Sequence, residues 1–337
     1  MKIAQNHSVN AISEMKRTST MMKFRFLAII VLLCAPNAPY GARAAEFSAE
    51  KVTVSNVRAH LVIHTGSYDQ VTVTIQQGKA YHRLRIEEVG GVLRITGDFQ
   101  GVETQGHCCS GIIRRDFRSA NTKSAGDGRE VAATPASDFP VISITAPLSV
   151  DLEVFNSHLE VDADAIEGRL LLEACAIYGE FGALDQAVIN LLPGSRLVIG
   201  DVKSLLELDM SGDASLVGGN VSMMDADIAG SGDVTVSSVT GMADISIAGS
   251  GRVRMAHITG PLTARIAGSG VVSAQSGTAD PLKVLIDGSG GVYVQGQAQS
   301  PDLRLSESAE VRIGSVAGQL RRHGTGVVIV GGEELPN

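Results

Sequence analysis

The stretch Ile228-Ala229-Gly230-Ser231-Gly232-Asp233-Val234-Thr235-Val236 decides how the chain is read. It returns as Ile247-Ala248-Gly249-Ser250-Gly251-Arg252-Val253, as Ile266-Ala267-Gly268-Ser269-Gly270, and as Ile286-Asp287-Gly288-Ser289-Gly290-Gly291-Val292-Tyr293-Val294. Each copy alternates apolar and polar residues on both sides of a glycine turn, which is strand periodicity and not helix periodicity. Glycine suits a sharp corner because it adopts positive φ at little cost.

Taking the apolar residue after the turn as an anchor extends the series in both directions. It runs Leu159, Ile177, Leu197, Ala214, Val234, Val253, Val272, Val292, Val311, Val328, with spacings of 17 to 20 residues. Further apolar columns lie two residues after the anchor, six before it and eight before it. The last of these runs through Ile189, Leu206, Ala226, Ile245, Ala264, Val284 and Leu303. A period of about 19 residues is too short for a helix pair and suits one coil of a parallel β-solenoid. Coils stacked about 4.8 Å apart would hydrogen-bond to one another and line one continuous apolar interior. The expected fold is therefore all-β: a right-handed parallel β-helix or solenoid. The handedness follows the usual sense of parallel crossovers.

Outside the coils the chain divides as follows. Residues 1–44 read as a leader ending in a secretory signal peptide. Lys23 and Arg25 precede an apolar run from Phe26 to Ala35, and Ala42-Arg43-Ala44 supplies small residues for cleavage. Removing six basic residues and one acidic residue with that leader takes the formal charge from −8 to −13. An exported acidic chain with no Trp is a poor nucleic-acid binder and lacks a stacking platform. Residues 45–100 hold alternating runs such as Val52-Thr53-Val54 and Val71-Thr72-Val73-Thr74-Ile75, read as an N-terminal β module capping the solenoid. Residues 101–140 carry few apolar side chains and read as a flexible insertion. The repeats occupy 141–330, and 331–337 form a tail.

This order of elements resembles the exported bacterial family known as the auto-transporter adhesin head, or GIN, domain. The residues that carry the likeness are the strand module from Val52 to Ile95, the Ala146-Pro147-Leu148 strand and the Gly-Ser-Gly-Asp-Val coils. The resemblance implies a β-helix-like fold and an adhesive or binding role at the cell surface or in the periplasm. It brings no catalytic residues. Two features depart from it: the seven residues after Val330 hold no translocator barrel, so self-export is not expected, and the resemblance does not explain the 101–140 insertion.

A search for chemistry finds no P-loop, nucleophile elbow or zinc-protease motif. Calcium-binding rolls need an aspartate in every repeat, and here the position varies. No catalytic residue, cofactor or metal is therefore assigned. One candidate surface ladder stands out immediately before four anchors: Arg196, Asp213, Asp233 and Arg252. Stacked, it would place two carboxylates between two guanidiniums. That is either a salt-bridge ladder relieving repulsion between coils or the acid and base of a polysaccharide lyase or hydrolase. Three cysteines remain after the leader, an odd number. Cys175 reads as a small buried residue, and His107-Cys108-Cys109 as an unstructured patch. His158 and His323 read as surface or edge residues. The expected partner is a protein or polysaccharide of the cell envelope, with self-association through the open solenoid ends as a further expectation.

Overall fold

The computed structural model describes residues 43–79, 83–99 and 138–336. Within them the chain is all-β, and its 26 strands join in one continuous hydrogen-bonded sheet. Each coil pairs in parallel with the coil before and the coil after. The strand Asp233–Val239 shows the rule: Val234 sits in register with Leu216 on one side and with Val253 on the other. Because coil stacking pairs like positions, an inward residue is always stacked on an inward residue. The column Leu197, Leu216, Val234, Val253, Val272, Val292, Val311, Val328 is buried throughout. A second buried column, on the longer face of each coil, runs Ile189, Leu208, Ala226, Ile245, Ala264, Val284, Leu303. The chain is thus a β-solenoid of coils of about 19 residues, with one unbroken apolar core.

The two columns correct the sequence reading at one coil. Leu216 replaces Ala214 as the anchor, and Leu208 replaces Leu206, a shift of two residues. The shift makes the neighbouring coils 19 and 18 residues long in place of 17 and 20, so the corners stack evenly. Ala214 is buried all the same, at the turn. Earlier in the chain, Leu159 and Ile177 are in register with each other, but Leu197 lies opposite Gly179 and not Ile177.

The glycine corners have two separate causes. Gly230, Gly249, Gly268 and Gly288 all take φ between 122° and 129°. The second glycine of each corner packs under a core side chain, Met210 over Gly232 and an isoleucine over Gly251, Gly270 and Gly290; a Cβ on Gly251 would come within 2.7 Å of Ile228 Cγ2. The serine between them is exposed and stacks through its backbone N–H, to which Ser231 adds a bond from its hydroxyl to the Gly212 carbonyl.

At the start of the stack the N-terminal residues pair in register with the coils. Lys51–Ser55 lies between Val92–Thr96 and Asp151–Phe155, and Arg58–Gly66 lies between Val141–Pro147 and His158–Ala163, all parallel. Antiparallel strands then close this end. Val71–Gln76 pairs with Val141–Pro147 and with Arg43–Phe47, and Arg85–Val89 folds back on Val92–Thr96. The strand Arg43–Phe47 includes two residues that the sequence reading put in the leader; the rest of that leader lies outside the described residues. At the other end Glu333–Glu334 pairs antiparallel with Val327–Val330, and Arg322 donates to the carbonyls of Leu335 and Pro336. Pairing back in this way covers part of an edge that would otherwise template another strand.

Two further readings change. His158 is fully buried, not at a surface or edge. Burial first, and then the charge of Arg58, push its pKa down to about 3, so the ring is neutral in the folded protein. Cys175 is buried as expected, but it is disulfide-bonded. Its partner lies outside the described residues, as does the His107-Cys108-Cys109 patch.

Candidate functional site

On the shorter face, outward side chains form two rows that run from coil to coil. The first row is His60, Glu160, Tyr178, Arg196, Ser215, Asp233, Arg252. The second is Val62, Asp162, Glu180, Val198, Val217, Thr235, Arg254. Alternation along each strand puts these residues outside while Leu61, Val161, Leu197 and Leu216 point into the core.

Three members of the sequence-derived ladder, Arg196, Asp233 and Arg252, lie in the first row. Asp213 does not. It falls two residues earlier, at the corner, and Ser215 takes its rung because Leu216 and not Ala214 is that coil's anchor. The two aspartates are therefore not stacked neighbours. Asp233 is instead engaged by Arg254, whose Nη1 donates to Oδ1 at 2.6 Å. Paired carboxylate chemistry needs two acids facing one bond, and this row does not provide them.

The first five rungs enclose an open depression of about 660 Å³, lined from His60 and Val62 to Ser215 and Val217. Gly179 forms part of its floor. With φ at 127°, its backbone packs so tightly on the previous coil that a Cβ would lie 1.8 Å from the Val161 carbonyl oxygen. His60 Nδ1 lies 3.0 Å from Glu160 Oε2 at one end. The Tyr178 ring stands beside the buried His158 ring, with centroids 6.4 Å apart. At the other end Val198 and Val217 are stacked neighbours exposed by 47% and 50%. The groove thus offers three carboxylates (Glu160, Asp162, Glu180), one guanidinium (Arg196), an aromatic ring and an apolar patch. The sequence reading reached only Arg196 among these. His60 and Val62 come from a strand a hundred residues earlier, and only pairing across the insertion brings them here. No cluster of His, Cys, Asp and Glu among the described residues could hold a metal ion. No helix there is long and apolar enough to cross a membrane.

The longer face carries two rows of its own. One reads Glu207, Asp225, Asp244, Thr263, Lys283, Asp302, Arg321, and the other Asp209, Asp227, Ser246, Arg265, Leu285, Arg304, His323. The first row changes from acidic to basic between Asp244 and Lys283 and the second one coil earlier, between Asp227 and Arg265, and Arg265 donates to Asp244 across the junction.

Fold and faces define a β-solenoid with exposed, groove-bearing strand faces. Residues 187–298 match the model of the family described as "Putative auto-transporter adhesin, head GIN domain", so the resemblance read from the Gly-Ser-Gly coils holds over that stretch. Among solved structures, a "putative adhesin" from Parabacteroides distasonis is 16% identical, covering 86% of this chain and 97% of that one with a TM-score of 0.38. A "putative adhesin" from Parabacteroides merdae is 13% identical, covering 86% and 95% with a TM-score of 0.39. A "Putative lipid binding protein" from Parabacteroides distasonis is 12% identical, covering 86% and 96% with a TM-score of 0.36. No curated protein matches.

Proposed function

We propose that the chain is an exported, non-enzymatic binding head of the cell envelope, displayed at the surface, that holds a protein or polysaccharide partner along its shorter face. The groove from His60 to Val217 carries this reading. It spans five stacked coils, about 20 Å at the inter-coil spacing, which suits an extended segment better than a compact metabolite. Its mixture of carboxylates, a guanidinium, Tyr178 and two exposed valines offers recognition along its whole length. The leader read from the sequence and the adhesin-head description of the matching family both support export and display.

The alternative of a polysaccharide lyase or hydrolase has weaker support. The row that would supply its acid and base holds Asp233 in an ion pair and Ser215 where a second carboxylate was expected.

Retention of the fluorescently labelled full chain on isolated cell envelopes tests the proposal. Val217→Arg combined with Tyr178→Ala should lower retention at least about tenfold, the effect of losing a central contact pair, with the circular dichroism spectrum unchanged. Retention that is indifferent to these substitutions, or release of sugar fragments abolished by Asp233→Asn, would overturn it.

A further inference from the structure

The longer face has a property that neither the groove nor the family likeness accounts for: it is self-complementary in charge. At the height of Glu207, Asp209, Asp225 and Asp227 every one of these four outward side chains is acidic and exposed. Three to five coils further on, Lys283, Arg304 and Arg321 project from the same two rows, also exposed. The Asp244–Arg265 ion pair marks the boundary. The two rows therefore form a dipole laid along the solenoid axis, with two carboxylates in its basic half: Asp302 in the first row and Asp287 in the flanking row that continues Ala267.

We propose that this face binds a second copy of the same chain, antiparallel and face to face. A two-fold axis lying in the plane of contact, perpendicular to the solenoid axis and near the Asp244–Arg265 junction, carries the acidic end of one copy onto the basic end of the other. Such a contact is isologous and closes at two copies, unlike stacking through the solenoid ends, which continues into filaments. An unrelated partner would need the same reversed charge pattern at the same coil spacing, and a second copy has it by construction. Seven coils of a seven-residue strand cover about 30 Å by 23 Å, roughly 700 Å² per copy, close to the approximately 800 Å² per partner of a standard interface. Ala229, Ala248 and Ala267 flank the charged rows and are small and exposed, and Leu285 is 47% exposed among them. These side chains leave room for two sheets to approach.

The acidic half also gains from being covered. Partial burial, and then the crowding of Asp244, Asp227, Glu207 and Asp209, raise the Asp225 carboxyl above its ordinary range. Cations from a partner would relieve that crowding. Exposed charge pairs contribute more to orientation and association rate than to affinity, so the contact should be weak and sensitive to salt.

The test is the solution mass of the full chain by light scattering, at about 0.05 M and about 0.5 M salt, which brings the screening length from over 10 Å to under 5 Å. The expected result is a dimer whose dissociation constant rises at least about tenfold at the higher salt, with no larger species. Asp225→Lys with Asp227→Lys should give a monomer, and so should Lys283→Glu with Arg304→Glu. Mixing these two variants should restore a dimer containing one of each, because the introduced lysines of one copy then meet the introduced glutamates of the other while the unaltered acidic and basic ends still face each other. All substituted side chains are exposed, and unchanged melting of each variant shows that the fold is kept. A monomer at low salt, a dimer that survives both double substitutions, open-ended filaments, or failure of the mixture to pair would each overturn the proposal.

Discussion

The backbone N–H of Ser250 donates to the carbonyl of Gly230 one coil below, at 2.8 Å. The same bond links Ser269 to Gly249 and Ser289 to Gly268, at 2.8 and 2.9 Å. The corner is therefore a hydrogen-bonded stack in its own right, and it requires glycine at one position and only a backbone N–H at the next.

That asymmetry sets the first prediction. In Gly249→Ala the new Cβ would meet the Gly230 oxygen at 2.4 Å with φ at 129°. Urea unfolding should show a loss of roughly 2–3 kcal/mol. Ser250→Ala keeps the N–H and changes only an exposed side chain, so its effect should stay within about 0.5 kcal/mol. Equal effects of the two would contradict the corner as described.

The second prediction concerns acid. His158 is held neutral, with its pKa lowered to about 3 by burial and Arg58, whereas in the unfolded chain it titrates near its ordinary value of about 6.5. Its folded pKa is the lower one, so the unfolded state binds the extra proton as pH falls. Stability is unaffected above about pH 6.5 and then declines toward about pH 3, by up to about 1.4 kcal/mol per pH unit. His158→Phe should flatten this part of the profile between about pH 6 and pH 4. Parallel pH profiles for the two proteins would show that His158 is not the group responsible.

The disulfide at Cys175 gives a third. Peptide mapping without reductant should recover the Cys175 peptide joined to another cysteine-bearing peptide. Reduction should lower the unfolding free energy by about 2–4 kcal/mol. A freely alkylated Cys175 in the native, unreduced protein would contradict the bond.

A fourth separates structure from chemistry in the first row. Asp233 and Arg254 are each more than 40% exposed on their side chains, so Asp233→Asn should cost less than about 1 kcal/mol and leave envelope retention nearly unchanged, because the groove ends at Ser215.

The coil period and the glycine corners were legible in the sequence because alternation and spacing repeat many times over. Register was legible only to within two residues. Ala214 and Leu216 are both apolar and have the same parity, so a period of two fits either, and only pairing with Leu197 and Val234 decides between them. That ambiguity displaced Asp213 into the expected ladder. The groove was hidden for another reason. Gly179 occupies an anchor position with no side chain to signal it, and His60 reaches Glu160 only after the chain has crossed the insertion. The even spacing of Arg58, His60 and Val62 against His158, Glu160 and Asp162, a hundred residues in each case, was the one available signal. Burial of His158 could not be inferred because it depends on neighbours distant in sequence, and the Cys175 bond depends on distance in space and not on spacing.

If the groove face binds a partner at the cell surface, it must be reachable from outside the cell. Val217→Cys places a thiol on its most exposed apolar rung, at a residue that is half exposed. Intact and permeabilised cells would be treated with a membrane-impermeant maleimide, and the modified residue-217 peptide quantified. The expected result is labelling on intact cells to nearly the same extent as after permeabilisation. Labelling only after permeabilisation would contradict surface display and place the binding face behind the outer boundary of the cell.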